Sequence, residues 1–212
     1  MPEAISELVR QLIHSFKPQN CDSMKSLVDS MHIITCAGKN KVGKVATEIT
    51  SKGYCSTKNM YYFGLKLHAV AFRRKGTTPF PEMLILFAAD ENDSTVFKRE
   101  CVGNLNNREI YADKIYSDIP FYKETKESKK LELFTSVKAI KGESPEITKR
   151  EKAARDFFST AVSKVRQPIE ALFNWLNEKT NIQRAMKIRS TYRFLVHTMG
   201  KTAIALITLI FN

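Results

Sequence analysis

Ile5, Leu8, Val9, Leu12, Ile13 and Phe16 recur at three- and four-residue intervals, the spacing of one helical face, until Pro18 closes the pattern. This predicts an amphipathic helix within residues 1–20 that docks onto the body of the domain in preference to a partner, with the main domain over 21–212. From Ser26 to Thr35 the chain turns β-branched and apolar, bounded by polar clusters and Gly38, which predicts a first strand carrying Asp29. Residues 60–74 and 81–90 read as two further strands joined by a hairpin-like GTTPFP connection. Asn92, Asp93 and Ser94 form an N-cap cluster for a short helix from Thr95 to Cys101. After turn residues Gly103 to Asn107, residues 108–116 return to strand character and set Asp113 near that strand's C-terminal end, where a carboxylate faces a crevice.

Residues 122–152 are dense in Lys and Glu with few large apolar positions, which predicts a solvated connector or surface helix. From about Pro145 to Leu176 the period is helical, with Val162, Val165, Ile169, Leu172, Phe173 and Leu176 in one stripe, and Pro168 kinks or restarts the helix. The run from Thr202 to Phe211 falls short of the ~20 residues that span a bilayer, so a buried terminal helix or strand, and no membrane partner, is expected.

Length and composition change this picture little: 212 residues with 43% hydrophobic content suit one globular body. Charge changes it more. A formal net charge of +12 points to an anionic partner, nucleic acid first, because Lys and Arg at phosphates release condensed counterions; a merely solvating charge is the alternative. Eight Lys and Arg between Ala161 and Lys201 face only Glu170 and Glu178, so half of that excess sits in this segment. It suits a track for a DNA backbone, with a solvated helical face as the plainer reading. Cys21, Cys36, Cys55 and Cys101 are scattered with no zinc-ligand spacing and no secretory signal, so reduced cytosolic thiols are expected.

Asp29 and Asp113 sit in apolar strand segments, where a charge is costly unless it ligates or pairs, and Glu170 lies on the apolar-striped helix one turn after Arg166. Each alone reads as a strand-end or surface carboxylate. Three in separate blocks fit two-metal phosphodiester chemistry, which needs hard oxygen ligands converging from separate elements. Arg166 and Glu170 also make an ordinary i,i+4 helix pair. Lys66, after Tyr61, Tyr62, Phe63 and Gly64, is a candidate phosphate contact, although strand aromatics are more often core. His32 and His68 read as hydrogen-bonded structural residues, and Trp175 as core.

The blocks LVDSMHI around Asp29, GYCSTKNMYYFGLKLHAV from Gly53, IYADKIYSD around Asp113 and VRQPIEALFNWLNEKTNIQRAMKIRS from Val165 resemble those of insertion-sequence DDE transposases. The last is the most specific, with an Arg, three residues and then a Glu on a helix, and the nine-eighty-two group of bacterial insertion sequences is the nearest match. The resemblance covers roughly residues 22–207 and implies an α/β, RNase H-like fold with a central mixed sheet flanked by helices. It implies a catalytic triad in which Asp29 bridges two Mg²⁺ ions, with Mn²⁺ able to substitute. Asp113 would ligate one ion, and Glu170 the other while aligning a water. It further implies that Arg166 steadies Glu170 or touches a phosphate, and that Lys164, Arg184, Lys187 and Arg189 join Lys66 in contacting DNA.

The implied partners are transposon ends and target, both double-stranded DNA, met by a homodimer in the bacterial cytoplasm at the nucleoid. Two positions depart from the family pattern: Ser163 stands where a Tyr is common, and Asn177 where a Lys is. Lys179 lies about 200° further around the helix and does not replace that Lys. With about one helix before Asp29, an N-terminally shortened copy is expected. Two rival readings remain, a non-catalytic DNA-binding remnant and an RNase H-like nuclease that needs no transposon ends.

Overall fold

β1 (Asp22–Ala37) is the axis of the molecule, and side-chain alternation divides its contacts. Leu27, Met31 and Ile33 point to one face and Val28 to the other, each into its own core. Asp29 shares the face of Leu27 and Met31. The computed structural model describes residues 1–39, 43, 45–137 and 142–211.

β3 (Met60–Arg73) runs antiparallel to β1 along almost its whole length. On its other side β3 pairs first with β2 (Ser51–Cys55) through Met60–Gly64 and then with β4 (Phe80–Ala88) through Leu65–Phe72, both antiparallel. β5 (Arg108–Ala112) lies parallel to β1, and β6 (Leu131–Thr135) parallel to β5. Bulges in the β1–β3 and β3–β4 ladders break the register, the usual source of extra bending in a sheet. A curled mixed sheet flanked by helices results, the RNase H-like architecture expected from the sequence.

Asn92 caps α2 (Asp93–Val96), its side chain accepting from the Ser94 and Thr95 N–H groups, and the chain continues as a π-helix over Phe97–Cys101. This segment and α3 (Ile119–Lys129) cover the Val28 face, where Phe97, Cys101, Tyr116, Tyr122 and Leu131 are buried. The opposite face is covered mainly by α5 (Pro168–Thr180) and α6 (Thr191–Phe211), which bury Ile169, Leu172, Phe173, Phe194 and Ala205 against β1 and β3. α1 (Pro2–Ser15) leans on α6, with Val9 and Leu12 against Ala203 and Leu206.

Three elements differ from the sequence-based expectation, and a fourth follows it. The Lys/Glu-rich stretch contains α3 and also β6, a sheet strand whose Leu131 is fully buried; five residues flanked by charges carry too little periodicity to stand out. The strand 108–116 stops at Ala112, because Asp113 turns to cap a short 3-10 turn through the Lys114 N–H. The helix over 145–176 restarts at Pro168 as expected: α4 (Pro145–Arg166) ends before Gln167, and Pro168 opens α5, where a missing N–H costs nothing. The terminal apolar run belongs to α6, whose 21 residues are long and apolar enough to cross a membrane by length and composition, although one face is built into the core.

Candidate active site

The parallel β1–β5 ladder pairs Lys25 with Glu109, Ser26 with Ile110 and Leu27 with Tyr111. Asp29 and Asp113 are separated in the chain by the same interval as each of these pairs. Continuing the register by two residues therefore sets Asp113, just past the end of β5, beside Asp29. The third carboxylate arrives from the helical layer, with Glu170 in the first turn of α5, next to the buried Ile169 that seats this helix on the Leu27 face.

Arg166, the last residue of α4, joins the parts. Its Nη1 donates to Asp29 Oδ2 at 2.7 Å and its Nη2 to Glu170 Oε1 at 2.5 Å. The i,i+4 pair anticipated from the sequence is present, and the same guanidinium also reaches across to the sheet. Asp29 Oδ1 accepts the Ser30 N–H at 2.8 Å.

The electrostatics follow from three carboxylates around one cation. Burial pushes the Asp29 carboxyl up to about 6; Arg166 and the Ser30 N–H oppose this, while Glu170 and Asp113 add to it. Burial also works against the charge of Arg166, but Asp29, Glu170 and Asp113 outweigh it and hold the guanidinium above its ordinary range. The site thus has an excess of negative charge that its own cation does not cancel.

A stability prediction follows. With its pKa raised from an ordinary 3.8 to about 6, Asp29 binds a proton more tightly in the folded chain than in the unfolded one. The stabilisation from protonation is complete below pH ~4 and is lost as pH rises through about 6. Asn at this position cannot ionise. In metal-free buffer, Asp29→Asn should therefore be more stable than the wild type at pH 8, by on the order of 1–2 kcal/mol. The gap should narrow as the pH falls toward 4. Urea midpoints at the two pH values measure this, and a difference that does not vary with pH would refute the assignment.

The basic candidates divide. Lys66 is turned inward, its Nζ donating to Asp93 Oδ1 and to the Glu91 carbonyl at 2.8 Å each, so its charge is used within the fold. Ser30 donates to the other oxygen of Asp93. Lys164 is exposed on α4 and lines an open groove of about 500 Å³ with Asp156, Ser159, Thr160, Ser163 and Gln167, and the groove ends at Arg166 and Glu170.

Arg184, Lys187 and Arg189 are exposed on the loop between α5 and α6. This loop is tied to β1, with the Ile34 N–H donating to the Gln183 carbonyl and the Ala185 N–H to the Ile34 carbonyl, at 2.8 and 2.9 Å. Asn177 anchors it from α5 by accepting the Gln183 N–H.

Sequence reasoning did not single out Ser159, Thr160 or Gln167; their polar spacing along the end of α4 and its junction with α5 is the signal that marks them. His68 is a core residue, within 3.0 Å of the Tyr116 hydroxyl and lowered to about 4 by burial. Cys55 lies 3.7 Å from the His32 ring nitrogen.

Among the described residues, no group of three His, Cys, Asp or Glu side chains is gathered closely enough to hold a metal ion. The donor chemistry nevertheless suits a hard divalent cation: all three candidates are carboxylates, and the half-buried Asp29 lacks full compensation of its charge. Arg166 supplies the partial compensation now present.

Residues 22–207 match the family model described as Transposase DDE domain. No curated protein and no solved structure matches the chain. Domains of this kind act on DNA and depend in general on a divalent metal. With the match spanning most of its length over an RNase H-like sheet, the chain belongs to the DDE transposase family.

Proposed function

We propose that this chain cleaves insertion-sequence DNA and joins the cut end to a target in a divalent-metal-dependent reaction, with Asp29, Asp113 and Glu170 as its carboxylate set. The observation that carries this reading is the β1–β5 register, which brings Asp113 beside Asp29, while Arg166 bonds both Asp29 and Glu170. Asp29, Asp113 and Glu170 would hold a pair of Mg²⁺ ions, for which Mn²⁺ would substitute, with Asp29 common to both ions and Asp113 and Glu170 each serving one. When bound, the metal pair supplies the positive charge that lets water, and then a freed 3′-hydroxyl, attack a phosphodiester in line. Arg166 orients Glu170 and limits repulsion among the carboxylates.

Lys164, at the groove that ends beside Glu170, and Arg184, Lys187 and Arg189, on the loop tied to β1, hold phosphates of the duplex without reading its bases. The enzyme works as a homodimer on transposon ends and target DNA, in the bacterial cytoplasm at the nucleoid. Mn²⁺ titration by calorimetry tests the ligand set apart from catalysis. Asp113→Asn should weaken Mn²⁺ binding by at least about tenfold, and equal affinity in wild type and variant would remove Asp113 from the set.

A further inference from the structure

The turn between β3 and β4 and the last turns of α5 and α6 border an open pocket of about 460 Å³, a size within the range of small-ligand sites. Arg74, Thr77, Trp175, Lys179, Thr208 and Leu209 line it. Trp175 and Lys179 stand five and nine residues beyond Glu170 on α5, which is ~140° and ~180° around the helix and up to ~14 Å along it. The pocket therefore lies on the flank of α5 opposite the carboxylate set.

No carboxylate lines this pocket, and its two cations keep their charge. Elsewhere the cations drawn into the fold are paired: Lys66 with Asp93, Arg108 with Glu82, Arg155 with Glu143 and Arg166 with Asp29. Arg74 is half-buried too, but its partners are neutral. Its Nε donates to Asn20 Oδ1 at 2.8 Å and its Nη1 to the Thr78 carbonyl at 3.1 Å, which fixes the guanidinium and leaves Nη2 for another acceptor. Lys179 is exposed and, among the described residues, makes no hydrogen bond or ion pair. α5 and α6 both end here, and their C-terminal dipoles together amount to about −1. Two cations outweigh that, so the pocket attracts an anion.

Trp175 sets the kind of anion. It is the single Trp of the chain, half-buried, and its indole N–H has no partner among the described residues. An aromatic face beside cations suits a nucleotide, because a base of any identity stacks on the ring while Arg and Lys take the phosphate. We propose that this pocket binds an unpaired nucleotide, with its phosphate on Arg74 and Lys179 and its base against Trp175. In a duplex the base faces are stacked on one another and only the backbone is offered, so the pocket prefers single-stranded to double-stranded DNA. The proposal holds or fails independently of the carboxylate set.

With one Trp in the chain, fluorescence reports on this pocket alone. Titration of dTMP, or of a thymidylate tetramer, into the full chain in metal-free buffer should give saturable quenching. Lys179→Glu should weaken this binding by at least about tenfold, and, because Lys179 is exposed, should keep the melting temperature and the Mn²⁺ affinity of the wild type. Arg74→Gln should act in the same direction; if loss of the Asn20 and Thr78 bonds prevents folding, Lys179→Glu decides alone. Quenching by both probes at similar affinity assigns the pocket to free nucleotides, and much tighter binding of the tetramer assigns it to an unpaired strand. The proposal is overturned by no quenching with either probe, by quenching undiminished in Lys179→Glu, or by inorganic phosphate competing as strongly as dTMP. A duplex that quenches as strongly as the tetramer, or phosphatidylglycerol vesicles that shift the Trp175 emission where nucleotides do not, would overturn it as well.

Discussion

Replacing Asp29 by Asn is expected to reduce metal-dependent DNA cleavage by about three orders of magnitude, since losing a ligand to catalytic metal removes several kcal/mol of transition-state stabilisation. The carboxylate is held on β1 by the Ser30 N–H and by Arg166, and Asn retains the oxygen that accepts the first of these bonds. Affinity for DNA should change by less than about twofold, because the phosphate contacts assigned to Lys164, Arg184, Lys187 and Arg189 are untouched. Cleavage kinetics alongside a filter-binding or anisotropy titration separate the two effects. A variant that cuts as fast as the wild type would remove Asp29 from the chemistry, and one that loses DNA binding in proportion would make its role structural.

Gly64→Ala should be among the most destabilising single substitutions available, at about 3 kcal/mol or more. Gly64 pairs with Ile34 where β3 crosses β1, and a Cβ there would stand 1.9 Å from the carbonyl oxygen of Ile33. The obstruction is backbone on a central strand, so relief requires the ladder to separate. Ile34 is also where the basic loop is tied to β1. The damage should therefore extend to DNA affinity even where the chain still folds. Thermal or urea denaturation measures the first effect, and a melting temperature like that of the wild type would show that the two strands are not held as closely as described.

Much of this candidate site was legible in the sequence because its signals are local. Asp29 stands within a single apolar run, Glu170 follows Arg166 by one helical turn, and Asn92 announces the start of α2. What joins these pieces is long-range pairing, which leaves no trace in a local period. The register that brings Asp113 to Asp29 depends on how β5 slides along β1. Lys66 was legible as a cation in a strand, but its partner Asp93 arrives from a helix two elements away, and the pair turns the charge inward.

β6 was hidden by the charges around it, although the parallel pairing with β5 and the burial of Leu131 make it part of the sheet. β2, only five residues long, was read as a block of sequence and not as a strand. For α6, the apolar run marked a core element, but a half-buried helix was not distinguishable from a buried one until its neighbours were known. The exposure of Ile204 and Ile207 is a property of packing.

Nicking of a duplex that carries the flanking terminal repeats of the element, with Mg²⁺ or Mn²⁺ and the full chain, tests the central claim most directly. The account predicts a metal-dependent cut at the element's end by the wild type, and none by Asp29→Asn, Asp113→Asn or Glu170→Gln. Binding of the same duplex with no cut under any metal would contradict it and leave a DNA-binding protein without catalysis, and equal cutting of duplexes lacking the repeats would point to a nuclease instead.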